Sequence, residues 1–265
     1  MGMPMYEGIF EDAVYGGHLA VLQYWRATEA LPWEVKISKA ASGGGRVEVL
    51  QWLQAQDPPC PWDTEACSAA ALEGHLDVLR WLRAQQPPCP WDAEVCQNAA
   101  AEGHLEMLQW LRAQNPPCPW DAEACALAAQ EGHLNVLRWL RAQHPPCPWD
   151  ADACKYAASE GQLEALQWMR AQDPPCPWDA EVCNYASASG HLDVLRQLCS
   201  YSCRHKAPRG TWDAEVCITA AEECQLEVLQ WLRAQEPPCP WDIDVCLEVS
   251  AGKAGGVEQW LLTQL

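Results

Sequence analysis

One stretch of 29 residues decides the fold, and it reads Trp91-Asp-Ala-Glu-Val-Cys-Gln-Asn-Ala-Ala-Ala-Glu-Gly103-His-Leu-Glu-Met-Leu-Gln-Trp-Leu-Arg-Ala-Gln-Asn-Pro-Pro-Cys-Pro119. Asp92 is a good N-cap, because its carboxylate can accept the free backbone N–H groups of a first helical turn. Gly103 supplies the tight turn that ends this helix. A second helix is predicted from about His104 to Gln114, since the two prolines that follow forbid its continuation. The stretch therefore predicts two short helices and a Pro-rich turn.

The same unit recurs along the chain. Its first tryptophan returns every 29 residues, with one step of 34, as Trp33, Trp62, Trp91, Trp120, Trp149, Trp178, Trp212 and Trp241. A second tryptophan series comprises Trp52, Trp81, Trp110, Trp139, Trp168, Trp231 and Trp260. A single helix pair of this size cannot bury its apolar face, whereas stacked copies can. The pattern predicts an all-α solenoid of about nine helix–turn–helix repeats.

We predict that the repeats form one domain over residues 1–265. A degenerate N-terminal repeat takes about residues 1–32, and a C-terminal repeat with two extra residues takes 241–265. Regular repeats fill residues 33–240, with an insertion at 199–211. Atypical terminal copies are expected to cap such a stack.

The unit resembles the ankyrin repeat. The motif Ala-Ala-x-x-Gly-His-Leu-Glu-x-Leu occurs from Ala99 to Leu108, and near-copies begin at Ala70, Ala128 and Ala157. The unit is shorter than the family's usual length of about 33 residues, and Glu94-Val95-Cys96-Gln97 replaces the Thr-Pro-Leu-His motif. The resemblance implies an elongated, curved stack with first helices on the concave side, used for protein–protein interaction and not for catalysis. Short Pro-rich turns are expected in place of hairpin fingers.

Charge and hydropathy limit the classes of partner that we expect for the chain. The chain carries 36 acidic and 17 basic residues, a net charge of -19. Because nucleic-acid binding draws on Lys and Arg, we expect no nucleic acid, and the charge favours a partner protein with a basic surface. No apolar run is long enough for a membrane span, and no secretory signal is visible at the start. We expect an intracellular, cytoplasmic chain whose 16 cysteines are mostly free thiols.

Six cysteine pairs share a spacing of seven: Cys60/Cys67, Cys89/Cys96, Cys118/Cys125, Cys147/Cys154, Cys176/Cys183 and Cys239/Cys246. A structural zinc site needs four converging ligands, whereas copies in a stack are displaced by roughly 8–10 Å per helix layer. We therefore predict that the first-helix cysteine is a small buried side chain. A disulfide within each pair is the alternative in an oxidising compartment.

Two further sets of residues, each at one equivalent position (a column) of successive repeats, are predicted to be structural. The histidines that follow the turn glycine are His18, His75, His104, His133 and His191, and the same column holds Arg46, Gln162 and Gln225. A catalytic or metal-binding role would not survive these replacements, so we predict structural hydrogen bonds at a helix start. The tryptophans of the turns are predicted to pack over helix ends, because stacking platforms for single strands come with a positive groove.

The repeat pattern breaks at residues 199–211, where Cys199-Ser-Tyr-Ser-Cys203-Arg204-His205-Lys206-Ala-Pro-Arg-Gly adds five residues. Insertions in solenoids lie in loops that are often functional, so we predict that Arg204 and Lys206 contact a partner. Cys199, Cys203 and His205, with Cys224, could supply zinc ligands. A plain solvated loop is the alternative, and no other metal site is predicted.

Two slots of the first helix vary between repeats, while core positions barely do. The slot after the first-helix cysteine holds Ser68, Gln97, Ala126, Lys155, Asn184, Ile218 and Leu247. The next slot holds Ala69, Asn98, Leu127, Tyr156, Tyr185, Thr219 and Glu248. Such variation is expected of a recognition surface and equally of a solvent-facing position that drifts freely. We predict partner binding by Asn98, Leu127, Lys155, Tyr156, Asn184 and Tyr185, with the two tyrosines as anchors.

These observations favour a non-catalytic scaffold or adaptor that binds a protein on its concave first-helix face. The chain has no nucleophile–base constellation, phosphate-binding glycine loop or metal motif, so no catalytic residue and no cofactor are predicted. One alternative is a structural subunit of a larger assembly. Another is a scaffold with a zinc-stabilised insertion at 199–211. We expect a monomer.

Overall fold

A computed structural model describes residues 5–28, 34–179, 181–204, 213–236 and 238–265, and gives the backbone alone at 5–7 and 199–204. These residues form eighteen helices and no strand: Met5–Tyr15 (α1), Leu19–Thr28 (α2), Val35–Gly43 (α3), Val47–Gln54 (α4), Thr64–Leu72 (α5), Leu76–Arg83 (α6), Ala93–Ala101 (α7), Leu105–Arg112 (α8), Ala122–Gln130 (α9), Leu134–Ala142 (α10), Ala151–Ser159 (α11), Leu163–Arg170 (α12), Glu181–Ala188 (α13), Leu192–Arg204 (α14), Ala214–Glu222 (α15), Leu226–Arg233 (α16), Ile243–Ser250 (α17) and Val257–Leu262 (α18). The predicted all-α solenoid of helix–turn–helix repeats is confirmed, with turns in place of hairpin fingers.

The chain divides into two compact units, residues 1–124 and residues 125–265. Within the first unit, α1, α3, α5 and α7 pack side by side in chain order, and each is covered by its own second helix. Within the second unit, α11, α13, α15 and α17 repeat this arrangement. The grouping of all residues into one domain over 1–265 stays a prediction.

The helix ends follow from the predicted capping residues. Asp92 adopts an extended backbone and its carboxylate accepts a hydrogen bond from the backbone N–H of Glu94 at 3.1 Å. Gly103 has a φ of +73°, which a residue without a β-carbon adopts at little cost. His104 precedes α8, yet its side chain makes no capping hydrogen bond. The aspartate and the glycine therefore set the ends of the first helix as predicted.

The core of each repeat lies between its two helices. Val78, Leu79 and Leu82 of α6 are fully buried, and burial of each such leucine contributes about 1.5–3 kcal/mol. Cys96 and Ala99 of α7 are equally buried. Small side chains on the first helices allow neighbouring first helices to approach closely, as predicted.

Side chains of the histidine column tie a repeat to the one before it. His104 Nε2 lies 3.3 Å from the carbonyl oxygen of Leu72, at the end of the preceding first helix. Carbonyl groups at helix ends have no partner within the helix, so this contact satisfies one of them. The same contact is made by Arg46 to Tyr15 at 3.0 Å, His191 to Ser159 at 2.9 Å and Gln225 to Ala188 at 3.1 Å. These contacts account for the mixture of side chains in the column.

A repeated clamp closes the Pro-rich turn in five of the described repeats. Arg112 Nη1 donates a hydrogen bond to the carbonyl oxygen of Cys118 at 2.5 Å, and its guanidinium lies 3.9 Å from the ring centre of Trp120. Gln114 donates to the carbonyl oxygen of Trp110 at 2.9 Å. The guanidinium–indole contact recurs at Arg83, Arg141, Arg170 and Arg233. The turn tryptophans therefore pack over helix ends, as predicted.

Candidate binding surface

The slot after the first-helix cysteine points toward the start of the next first helix. Lys39 Nζ lies 2.9 Å from Glu65 Oε2. Gln97 Nε2 donates to both carboxylate oxygens of Asp121, at 3.0 and 2.9 Å. This slot therefore joins consecutive repeats wherever it carries a long polar side chain.

Lys155 is the most strongly held residue of this slot. Its ammonium lies 3.4 Å from Asp152, 3.3 Å from Asp179 and 2.6 Å from Glu181, and 15% of its side chain is exposed. The hydrogen bond to Glu181 raises the pKa of Lys155 above its ordinary value and outweighs the opposing effect of desolvation. Lys155 therefore bridges α11 to the start of α13 as a cation at neutral pH. Sequence reasoning missed these partners, although the acidic helix starts recur one repeat further on.

The next slot carries the exposed aromatic side chains of the second unit. Tyr185 on α13 is 41% exposed, and Tyr156 occupies the same slot of the adjacent α11 and is half-buried. Leu127, in this slot on α9, is also half-buried. Asn184 belongs to the neighbouring slot, and its side-chain oxygen is buried without a hydrogen-bond partner. With Lys155, five of the six predicted first-helix contact residues thus lie in the second unit.

Asn98 lies apart from this group, since it belongs to the first unit. Its side-chain nitrogen donates to the carbonyl oxygen of Ser68 at 3.1 Å, which links α7 to α5. This contact gives Asn98 a structural role, which the variation of its slot between repeats did not predict. Its role in partner binding stays a prediction.

The insertion lies largely outside the described residues. The side chains of Cys199, Cys203 and Arg204 are not described, and neither are His205 and Lys206. Cys224 is described, and it holds a φ of +59° in the slot that is glycine in other repeats. No group of three or more metal-ligating side chains occurs in the part of the chain that the structure describes. The zinc site and the basic contact residues stay predictions.

The described first-helix cysteines are buried, as predicted: Cys67, Cys96, Cys125, Cys154, Cys183, Cys217 and Cys246. None of the described cysteines takes part in a disulfide. Cys89, 22 residues further on, together with burial raises the pKa of the Cys67 thiol above its ordinary value. The sequence analysis considered only the spacing of seven and missed the relation between Cys67 and Cys89, although cysteines 22 residues apart also recur along the chain.

Among the described residues, none of the helices combines the length and the hydropathy that a bilayer crossing requires.

Residues 67–112, which run from α5 to the end of α8, match the family model for ankyrin repeats (many copies). The ankyrin-repeat prediction is confirmed for these residues. The matched ankyrin segment contains two complete second helices, α6 and α8, with the glycine turns that precede them. No curated protein matches the chain in sequence.

Two solved structures are similar to the chain in fold. They are the pentatricopeptide repeat protein PPR10 in complex with an 18-nt psaJ RNA element, and a variant of that protein with the same RNA element. Each has a TM-score of 0.39 and 12% sequence identity, and each match covers 97% of this chain and 48% of the other. The chain therefore spans about half the length of these proteins.

The expected exclusion of nucleic acid is contradicted by these two pentatricopeptide repeat structures, which contain RNA. The expectation used the net charge of the whole chain to judge the charge of one binding surface. A net charge of -19 describes all residues together, whereas a ligand meets only the surface that it contacts. The likeness itself concerns the fold and assigns no ligand to this chain.

Proposed function

We propose that the chain is a non-catalytic ankyrin-type scaffold that binds another protein through the first-helix face of its second unit. The exposure of Tyr185 supports this proposal most directly. Its neighbours on α13, Cys183 and Ala186, are buried, while Tyr185 leaves 41% of its surface open. Tyrosines are enriched at the centres of protein interfaces, where a large ring binds with little loss of conformational entropy.

The scaffold beneath Tyr185 is held on both sides. Its helix, α13, packs between α11 and α15. Lys155 fixes the start of α13 to α11 through the carboxylates of Asp179 and Glu181, and Ser187 donates to the carbonyl oxygen of Val216 at 2.7 Å. A surface that is already ordered loses less freedom on binding, which favours affinity. These contacts make the Tyr156–Tyr185 face a preorganised binding surface.

The test is affinity capture from a lysate of the native cells, with the full chain as bait. The wild type is compared with a Tyr156→Ala/Tyr185→Ala variant and with an Arg138→Ala/Arg196→Ala control. The control removes two exposed side chains from the second helices of the same unit. We expect a protein that is captured by the wild type and the control and lost from the tyrosine variant. Circular dichroism confirms that all three baits have the same helix content.

Two outcomes would contradict the proposal. Equal capture by the tyrosine variant would place the binding surface elsewhere on the chain. Capture that disappears after nuclease treatment would show that nucleic acid, and not a protein, occupies the surface.

A further inference from the structure

Carboxylates surround the two tyrosines on the first helices of the second unit. The described first helices α11, α13, α15 and α17 contain one basic residue, Lys155. An acidic residue precedes each tyrosine by four positions, Asp152 before Tyr156 and Glu181 before Tyr185. Residues four apart lie on the same face of a helix, with about 5–6 Å between their β-carbons. Each ring therefore has a carboxylate one helical turn away on its own face.

Lys155 leaves this surface negative. Its ammonium has three N–H donors, and they face three carboxylates, those of Asp152, Asp179 and Glu181. A carboxylate has about four lone-pair positions, so Glu181 keeps acceptor capacity after it has bound Lys155. The Glu181 side chain is also 59% exposed. A donor from outside the chain can therefore reach Glu181.

We propose that the segment bound at this surface is basic and places an arginine on Tyr185 and Glu181. The inference rests on the proposed function and names the chemistry of the partner at the same surface. A guanidinium is planar, stacks on aromatic rings and donates two parallel hydrogen bonds to a carboxylate. Tyr185, with 41% of its surface exposed, supplies the ring, and Glu181 supplies the carboxylate.

The chain already uses this combination within its own turns. The guanidinium of Arg112 lies 3.9 Å from the ring centre of Trp120 and donates to the carbonyl oxygen of Cys118. One guanidinium thus serves a ring and an oxygen acceptor together. At Tyr185 the ring and the acceptor are present, and none of the first helices α11, α13, α15 and α17 offers an arginine to them.

The acidic row continues beyond the tyrosines. Glu215 precedes Thr219 on α15 by four residues, and Asp244 precedes Glu248 on α17 in the same way. A segment that crosses from α11 to α15 therefore meets a carboxylate on every helix but an aromatic ring only on α11 and α13. The surface consequently favours positive charge along its length and arginine at the tyrosines.

The test selects binders from a phage-displayed library of short random peptides on the immobilised full chain, with a parallel selection on the Tyr156→Ala/Tyr185→Ala chain. We expect peptides that bind only the wild type and contain arginine well above its frequency in the library. Tyrosine-dependent peptides without this enrichment would overturn the arginine inference and leave the proposed protein-binding surface in place. A selection that yields no tyrosine-dependent peptide would contradict both.

Fluorescence anisotropy with one selected, labelled peptide then tests the two contacts. Glu181→Gln should weaken binding about tenfold, because it removes a charged acceptor. Asp244→Asn is the control for net charge, since it lies two helix layers from α13, roughly 16–20 Å, beyond the screening length of about 8 Å at physiological salt. It should change the affinity less than about twofold. Equal losses for the two variants would reduce the effect to general attraction by an acidic chain and overturn the site.

The ring is tested in the same assay, with circular dichroism to confirm folding of every variant. Tyr185→Phe keeps an aromatic face and should bind like the wild type, whereas Tyr185→Leu should bind about threefold more weakly. Replacement of the peptide's arginine by uncharged citrulline should cost about tenfold. Unchanged binding by Tyr185→Leu or by the citrulline peptide would overturn the proposal. So would a labelled poly(U) oligonucleotide that binds the wild type and not the tyrosine variant, because it would assign the surface to nucleic acid.

Discussion

Among single residues, Lys155 shows how neighbouring side chains determine the structural role of a residue. Its slot also holds Gln97, which binds one carboxylate group, whereas Lys155 meets three. A lysine among carboxylates keeps its proton to higher pH than a free lysine. The residue therefore couples the stability of the repeat pair to pH in the alkaline range.

We predict that Lys155→Met lowers the free energy of unfolding by about 1 kcal/mol at pH 7–9, since three carboxylates lose their shared cation. The folded-state pKa of Lys155 lies above its ordinary value of 10.5. The stabilisation is therefore fully present below pH 10.5 and is lost as pH rises through the folded-state pKa. Urea unfolding of wild type and variant across pH 7–12 should show a constant difference that shrinks above about pH 10.5.

Lys155→Gln is the matched control for this pH dependence. Glutamine can keep a hydrogen bond to Asp179, as Gln97 does to Asp121, but it carries no titrating proton. Its stability should therefore run parallel to that of Lys155→Met at alkaline pH and lie slightly above it. A difference between wild type and Lys155→Met that stays constant to pH 12 would contradict the role given to the ammonium.

The same residues show what sequence alone could predict. Asp92 and Gly103 were predictable, because capping and positive φ depend on a few neighbouring residues. Asp179 and Glu181, the partners of Lys155, come within reach only because α11 packs against α13. Contacts that depend on the register of packed helices leave no local signal, and for the same reason the relation between Cys67 and Cys89 was missed.

At the scale of the element, the Pro-rich turn depends on the arginine clamp. In the first unit, the slot of Arg83 and Arg112 is filled by Gln54 one repeat earlier, and Gln54 Nε2 donates to the carbonyl oxygen of Cys60 at 2.6 Å. The glutamine reproduces the hydrogen bond to the turn. It cannot supply the cation that arginine places over the indole ring.

We predict that Arg112→Ala lowers the free energy of unfolding by about 2 kcal/mol, because it removes both the hydrogen bond to Cys118 and the contact with Trp120. Arg112→Gln should cost only about half as much, since it keeps the hydrogen bond. Urea titrations of the full chain, followed by tryptophan fluorescence, give both values. Equal losses for the two variants would mean that the hydrogen bond contributes nothing.

At the scale of the whole molecule, an acidic excess accompanies the repeat. Many acidic residues stand at the starts of helices, where the positive end of the helix dipole favours them. Copying the unit also copies these residues, so the net charge of -19 accumulates with repeat number. Like charges repel within a folded chain. Acidic residues that are each favourable at their own helix start therefore repel one another across the folded chain.

Salt should reveal this repulsion. Raising NaCl from about 20 mM to about 500 mM shortens the screening length from roughly 20 Å to roughly 4 Å. We predict that the thermal midpoint rises by several degrees, because long-range repulsion is screened more than close contacts such as those of Lys155. Lys155→Met makes the chain one charge more negative, so its midpoint should rise more steeply with salt than that of the wild type. A midpoint that falls with NaCl would show that the local ion pairs outweigh the repulsion of the excess charge.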